Sequence, residues 1–431
     1  MEYVPILVLI FSFIVLISIS VPVALSISIS SLLTILVSLP LLSSFTTVSQ
    51  RMATGLDSFA LLAVPLFILS GQIMNSGGIA GRLIQFAKTL VGFLPGGLAL
   101  INIISAMLMG SISGSAMASA SAMGSVLGPE MEKEGYSKDF GVAVNITSAT
   151  TGLIIPPSNV LIVYSLASGG VSVGALFLAG YIPGILTGLL LMLVAFFWSK
   201  KNKYKVGKRS SLKEILASFF YAIPSLFLLI IIIGGIISGI FTATEASAIA
   251  VLYSIILGFI YKELSIKKLP KIFLKSVETT AIVMLLISAS MCMSWVLSFE
   301  NIPQEISSFL LGFSDNKMII LLIINLILLI FGIFMDITPA VLIFTPIFLP
   351  VVTALGIDPV HFGIILVLNL CIGLCTPPVG SILFVGVGVA KTSIVNVIKP
   401  LIPFFIVMII SLFLITYIPS LTLFLPDLFN Y

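Results

Sequence analysis

Long apolar segments recur along the whole chain, and they limit its possible folds more than any other feature. A helix needs ~20 residues to cross the roughly 30 Å hydrocarbon core of a bilayer. Only 8% of the 431 residues are charged, against about a quarter in an average soluble domain. Spanning strands would instead be alternating segments of ~10 residues. The sequence therefore predicts an all-α polytopic membrane protein, with such apolar runs at 3–20, 219–240, 319–334 and 401–418.

The basic residues are concentrated in two short stretches beside apolar helices. Twelve of the 20 Lys and Arg residues lie at 200–213 and 262–275. The positive-inside rule places both stretches in the cytoplasm, where they determine topology rather than bind nucleic acid. When the membrane crossings are counted from these loops, Arg51 and Lys317 are the only two of the 20 basic residues predicted to lie on the outer side. The same count predicts that both termini are periplasmic.

The chain contains a second copy of itself. The segment GLIIPPS at 152–158 recurs as GLCTPPV at 373–379, an offset of 221 positions. Each copy has the same order of a polar break, a return ending near Pro, a helix, a Pro-Pro break and another helix. Together with the charges, this order predicts an inverted repeat, as in many secondary transporters. Further matches at nearly the same offset pair Gly110 with Gly332, Pro129 with Pro350, and Phe140 with Phe362.

The repeat divides the chain into four predicted units. Each copy holds one re-entrant hairpin, and scaffold helices precede each copy. The predicted units are N-terminal scaffold helices at 1–56, a first repeat at 57–198 with its hairpin near 98–130, a central scaffold hairpin with basic loops at 199–277, and a second repeat at 278–431 with its hairpin near 319–355.

Four breaks in the apolar pattern are the candidate sites for chemistry. Backbone that leaves helical geometry inside hydrocarbon exposes polar groups, which costs several kcal/mol for each group unless they line a cavity or bind something. A Pro-Pro pair frees carbonyl oxygens, which with Ser and Thr hydroxyls suit Na+. Helix starts at the hairpin tips direct N–H groups at an anion. The alternative is that small residues only allow close helix packing and prolines only kink helices. The breaks lie at 110–121, 150–159, 335–340 and 373–381.

Three ionisable residues each have a separate predicted role. Asp336 is the only acid in the four breaks, so it is a candidate for ion or substrate handling. The alternative is that it caps a helix beginning near Thr338. Glu245 is predicted to cap the helix that follows Thr242 or Thr244 and to anchor the central hairpin. The only histidine, His361, lies near a predicted membrane boundary and is expected to be solvated or capping.

The sequence does not favour an enzyme. One histidine without an accompanying acid supplies neither a nucleophile–base pair nor a metal site. Cys371 and Cys375 share a helix face but lack a third ligand, so we expect them to be packing residues. The segment GVGVAKTS at 386–393 lacks the Gly before Lys that a phosphate-binding loop requires, which leaves ATP-driven action unsupported.

Several phrases together resemble the large membrane subunit of TRAP transporters, of the DctM or SiaM type. This resemblance implies an elevator fold, in which two re-entrant hairpins and two Pro-Pro-broken helices form a mobile transport domain on a scaffold. It also implies a small four-helix membrane subunit and a soluble periplasmic substrate-binding protein as partners. The phrases are LLAVPLFILSGQIM (61–74), GGIAGRLIQFAKTLVGFLPGGLALINI (77–103), GSISGSAMASASAMGSVLGPEMEKEGYS (110–137), IIPPSN (154–159), GIFTATEAS (239–247) and GIFMDITPA (332–340).

The resemblance further implies import of an organic acid, such as a sialic acid or a C4-dicarboxylate, across the bacterial inner membrane. Na+ would be the coupling ion, at two or more sites. One ion site would contain Ser113, Gly114, Ser115, Thr150, Thr151 and Pro156, and the other Asp336, Ile337, Thr338, Gly373, Thr376 and Pro377. Substrate contacts would involve Ser115, Ser158, Asn159 and Thr338.

Two alternatives remain open from the sequence. A single-subunit Na+/dicarboxylate symporter of related fold would share the inverted hairpins, and copurification of a four-helix protein would distinguish the two. A passive channel fits less well, because two separate breaks in each half suit an occluded site. The two copies are also not chemically equal, since Val379 and Gly380 stand where the first copy has Ser158 and Asn159.

Overall fold

The protein is a bundle of α-helices. The computed structural model describes residues 4–207, 209–314 and 316–431, and no strand occurs among them. Within these ranges, eight helices are long and apolar enough to cross a membrane. Many large apolar side chains face outward, as expected where lipid rather than water is the solvent. The predicted all-helical polytopic fold is therefore confirmed.

The first half consists of ten α-helices and one short 3-10 helix, Phe59–Leu62. They are α1 Val4–Ser18, α2 Val23–Ser38, α3 Leu41–Thr54, α4 Ala63–Ser76, α5 Ile79–Val91, α6 Gly97–Ser113, α7 Ala116–Lys133, α8 Lys138–Thr151, α9 Asn159–Ala167 and α10 Val173–Lys201. The α6–α7 hairpin lies close to the predicted 98–130.

The second half also has ten α-helices. They are α11 Leu212–Ile237, α12 Ala243–Ile260, α13 Leu269–Phe299, α14 Ile302–Phe313, α15 Lys317–Phe334, α16 Ile337–Ala354, α17 Pro359–Leu374, α18 Ser381–Ala390, α19 Ile394–Tyr417 and α20 Ser420–Leu428. The α15–α16 hairpin lies close to the predicted 319–355.

The repeated packing extends beyond the two predicted starts at 57 and 278. Helix α2 packs on α13, and α12 packs on α4 in the same way. Ser26 of α2 and Ser247 of α12 lie 221 positions apart, and both are fully buried. The α1–α2 pair and the α11–α12 pair thus pack on corresponding helices of the two copies, and the unit boundaries at 57 and 278 stay a prediction.

Contacts between loops define one end of the bundle, called end A. The Lys205 ammonium lies 3.7 Å from a Glu134 carboxylate oxygen. Thr392 Oγ1 donates to Asp139 Oδ1 at 2.6 Å. The Arg82 guanidinium lies over the ring of Tyr261, 3.3 Å from its centroid. Both predicted basic stretches therefore lie at this one end.

A second set of contacts defines the opposite end, called end B. The Tyr164 hydroxyl donates to Pro359 O at 2.6 Å, and the Tyr417 hydroxyl donates to Met318 O at 3.2 Å. Arg51 lies over the ring of Trp295. The two basic residues predicted to lie outside, Arg51 and Lys317, thus belong to end B.

Corresponding helices of the two copies begin at opposite ends. Helix α8 begins beside Asp139 at end A, whereas its counterpart α17 begins at Pro359 at end B. The hairpin α6–α7 enters from end A, because Glu134 follows α7 there. The hairpin α15–α16 enters from end B, because α15 begins beside Tyr417. This is the arrangement that an inverted repeat requires.

One of the ionisable residues departs from its predicted setting. His361 was expected to be solvated or capping, but its side chain is buried, with Nδ1 2.7 Å from Thr422 Oγ1. The cap of α17 is Asp358, and the α19–α20 turn covers the histidine. The capping prediction for Glu245 is confirmed, because its carboxylate accepts the N–H of Thr242 at 2.8 Å in a capping box.

Candidate functional site

The tip of the first hairpin is a turn at Gly114. This glycine has a φ of 62°, in the left-handed region that other residues rarely adopt. A Cβ added to Gly114 would overlap the side-chain amide of Asn159, so the tip packs directly against the start of α9. Ser115 caps α7 by accepting the N–H of Ala118 at 3.2 Å. Glycine is therefore required here for both its conformation and its size.

The tip of the second hairpin is built around Asp336. Its Oδ1 accepts the N–H of Ile337 at 2.9 Å, and Asp336 is the N-cap of α16. The helix begins one residue earlier than Thr338, the predicted start. Pro339 has no N–H to offer the cap, and Asp336 as a whole residue is exposed. The capping hypothesis is confirmed, and an oxygen of Asp336 still remains open to a ligand.

Glycines bring each hairpin against the broken helix of its own copy. A Cβ on Gly110 of α6 would lie 2.8 Å from the Cα of Gly152, which follows α8. In the second copy, a Cβ on Gly373 of α17 would overlap the backbone of Gly332 of α15. Two backbones can approach this closely only where neither residue carries a side chain. These crossings hold each Pro-Pro break next to its hairpin.

In the first break, the Ser and Thr hydroxyls donate to nearby backbone carbonyl oxygens. Ser158 is buried, donates its hydroxyl to Leu153 O and caps α9 by accepting the N–H of Leu161. The hydroxyls of Thr150 and Thr151 both donate to Thr147 O, at 2.8 and 3.1 Å. Pro156 and Pro157, which are joined by a cis peptide bond, are buried too. These bonds use the hydroxyl hydrogens and leave oxygen lone pairs available, so the ion site predicted at this break stays a prediction.

The second break leaves carbonyl oxygens unengaged. Val379 stands where Ser158 stands in the first copy, and a valine cannot donate to Leu374 O. The oxygens of Leu374 and Thr376 both lie 2.8 Å from the position that a Cβ on Gly380 would occupy. Among the hydrogen bonds of the described residues, none is donated to either oxygen. A side chain at position 380 would therefore overlap both carbonyl oxygens, so glycine is needed there.

Both hairpin tips open into a single cavity of about 410 Å³. It lies between the tips, the start of α9 and a wall formed by α4 and α13. The polar side chains lining it are Gln72, Ser113, Ser115, Asn159, Lys275, Thr279, Asp336 and Thr338.

The cavity divides the predicted site residues into two groups. The tip residues of both copies and Asn159 line it, whereas the other predicted residues of the two breaks are not among its lining residues. The lining group is Ser113, Gly114, Ser115, Asn159, Asp336, Ile337 and Thr338, and the other group is Thr150, Thr151, Pro156, Ser158, Gly373, Thr376 and Pro377.

The sequence did not indicate which residues line the cavity wall opposite the hairpin tips. Gln72, Lys275 and Thr279 line the cavity from α4 and α13. Lys275 belongs to the second basic stretch, which suggested only topology. A polar residue within an apolar run, such as Gln72, was the one available signal. Their place in the cavity follows from helix packing, which the local sequence does not reveal.

Three helix N-termini converge on the cavity. Helices α7 and α16 begin at the two tips, and Asn159 is the first residue of α9. Each N-terminus carries N–H groups without intrahelical partners and a partial positive charge of roughly half an electron. Together they make the cavity favourable for an anion.

Comparison with known proteins identifies the family of the chain. Residues 10–421 match the sequence profile of the family described as the tripartite ATP-independent periplasmic transporter, DctM component. The chain belongs to this family of TRAP transporter large subunits. Such a membership makes it a transport protein of the membrane rather than an enzyme.

Three relatives cover nearly the whole chain. The uncharacterized protein YgiK of Salmonella typhimurium is 56% identical over 99% of both chains. The C4-dicarboxylate TRAP transporter large permease protein DctM of Pseudomonas aeruginosa is 40% identical over 92% of this chain and 93% of its own. The sialic acid TRAP transporter large permease protein SiaM of Vibrio cholerae is 38% identical over 93% of this chain and 94% of its own.

The fold is also similar to a solved structure. The YdaH transporter of Alcanivorax borkumensis superposes with a TM-score of 0.64, covering 86% of this chain and 87% of its own, at 14% identity. At that level of identity the likeness concerns the fold alone.

Proposed function

We propose that this TRAP large subunit imports an organic acid with Na+, by an elevator movement, together with a small membrane subunit and a periplasmic binding protein. The cavity shared by the two hairpin tips is its transport site. The observation that carries the proposal is the convergence of three helix N-termini on that cavity.

The electrostatics of the cavity favour a carboxylate substrate. The N-termini of α7, α9 and α16 present N–H groups at the position where an anion would be held. Hydroxyls of Ser115 and Thr338 and the amide of Asn159 add neutral donors. Relatives of similar identity are named for C4-dicarboxylates and for sialic acid, and both substrates carry a carboxylate. The class is therefore an organic acid.

The second break supports a Na+ site next to that anion. The carbonyl oxygens of Leu374 and Thr376 accept no hydrogen bond among the described residues, and unwound backbone carbonyls coordinate Na+ in transporters. Asp336 at the adjoining tip supplies a negative charge. A cation there offsets the carboxylate of the substrate, which gives a physical reason for coupled binding.

The inverted packing supports an elevator movement. The tips belong to hairpins that enter from opposite ends, while α4 and α13 form a separate wall held by α12 and by α2 and α3. A body that carries both tips and slides along this wall would expose the cavity first at one end and then at the other.

Reconstitution tests the proposal directly. Proteoliposomes would contain this chain and its small subunit, with the binding protein outside, and uptake of labelled succinate and N-acetylneuraminate would be measured. We expect accumulation of one acid only with an inward Na+ gradient and with both partners present. Uptake without Na+ would contradict the coupling. Uptake by the chain alone would replace this function with a single-subunit symporter.

A further inference from the structure

The cavity continues from the hairpin tips toward end A. Leu286, Ile282, Thr279 and Lys275 line it on successive turns of α13. On α4, the lining residues also lie along the path toward end A, and Gln72 is the last of them. Both helices reach end A, where a Cβ on Gly78 would touch the side chain of Glu263. The wall is apolar beside the tips and polar at its end-A mouth.

Among the described residues that line the cavity, Lys275 is the only basic one. Its side chain is exposed, and it forms no ion pair with any of the described residues. It lies on the wall helix α13, which packs on α2, α3 and α4. Gln72 lines the same mouth from α4 and offers a neutral amide donor.

We propose that Lys275, with Gln72, forms an anion-binding position at the end-A mouth that receives the carboxylate of the substrate as it leaves the hairpin tips. This inference rests on the proposed function, because it takes the substrate to be an organic acid. The position belongs to the wall and not to the tips. Substrate therefore meets the Lys275 ammonium only while the tips face end A, so this contact sets affinity on one side of the membrane.

The alternative is that Lys275, like the rest of its basic stretch, only determines the topology of the chain in the membrane. Lys271 provides a matched comparison, because it lies one turn earlier on the same helix, is exposed and does not line the cavity. Removing the charge of Lys275 or that of Lys271 lowers the net charge of the basic stretch by the same amount. Only removal of the Lys275 charge would change the cavity.

A cysteine reporter inside the cavity measures occupancy. Thr279→Cys, introduced into the full chain with its small subunit in membrane vesicles, would be labelled with an uncharged maleimide. The three native cysteines are fully buried, so they give little background. Protection by succinate and by N-acetylneuraminate would be titrated in wild-type, Lys275→Gln, Lys275→Arg and Lys271→Gln backgrounds. Half-protecting concentrations are compared, because they do not depend on the intrinsic labelling rate.

We expect one acid to protect the reporter, and Lys275→Gln to raise its half-protecting concentration about two- to fivefold, the size of a partly solvent-exposed charge interaction. Lys275→Arg and Lys271→Gln should leave it within experimental error. Equal shifts for Lys275→Gln and Lys271→Gln, or no protection by either acid, would overturn the inference. Na+-driven uptake measured in parallel decides the proposed function separately.

Discussion

Asp336 caps α16, and its carboxylate is also the group that we propose to bind a cation. One oxygen accepts the N–H of Ile337, which fixes the side chain at the start of α16. The residue remains exposed at the hairpin tip, beside the cavity. A fixed and accessible carboxylate at a broken helix is the kind of group that binds a cation, so the two roles support each other.

Replacement of Asp336 by Asn separates these roles. Asn caps helices about as well as Asp, so we expect normal folding and membrane abundance. Loss of a charge-assisted interaction, typically ~1.5–3 kcal/mol, should raise the half-saturating Na+ concentration for uptake roughly ten- to a hundredfold. A Na+ titration at saturating substrate measures this. Unchanged half-saturation and maximal rate would remove Asp336 from the ion site.

Ser158 has a structural role as a helix cap, and its role in substrate binding stays a prediction. The sequence placed it among the substrate contacts, but its hydroxyl bonds Leu153 O and caps α9 away from the cavity. We expect Ser158→Ala to lower thermal stability, by about 1–2 kcal/mol for a lost cap, and to leave the KM for substrate unchanged. Ser125→Ala, at an exposed helix position, is the control. A raised KM with unaltered stability would restore the sequence prediction.

At the scale of elements, the hairpins and breaks could be predicted, whereas their surroundings could not. Gly, Pro, Ser and Asp interrupt an apolar pattern locally, so the sequence located both hairpins to within a few residues. The equivalence of α1–α2 with α11–α12 lies in how they pack, and their sequences carry little of it. The burial of His361 likewise depends on the distant α19–α20 turn, and the cavity wall depends on α4 meeting α13.

The close backbone contacts at the glycine crossings can be tested by substitution. Gly373→Ala would drive a methyl group into the backbone of Gly332, and overpacking of this kind costs about 1–3 kcal/mol. Gly128→Ala is the control, since a Cβ there meets nothing within 4 Å. We expect only Gly373→Ala to melt at a lower temperature in a size-exclusion thermal assay of the purified protein. Equal melting of the two variants would contradict the close crossing.

At the scale of the whole molecule, the two ends have different charges. End A holds both basic stretches, while Arg51 and Lys317 belong to end B. The positive-inside rule therefore predicts that end A is cytoplasmic. This assignment makes the present cavity, which continues toward end A, an inward-facing one.

Labelling with a membrane-impermeant thiol reagent tests that orientation. In intact cells, Lys317→Cys should react from the periplasm, whereas Lys205→Cys and Lys267→Cys should react only after the inner membrane is opened. Permeabilised cells provide the control for reactivity of each cysteine. Periplasmic labelling of Lys205→Cys would reverse the assignment of the ends.

The most direct test of the account is whether a hairpin tip is reached from both faces of the membrane. Thr338→Cys lies at the second tip and lines the cavity. With the small subunit present, we expect an impermeant thiol reagent to label it from the cytoplasmic face in inverted vesicles and also from the periplasmic face in spheroplasts. Na+ should change the ratio of the two rates. Labelling from one face only, in every ionic condition, while Lys317→Cys and Lys205→Cys react from their own sides, would contradict an elevator site shared by the two tips.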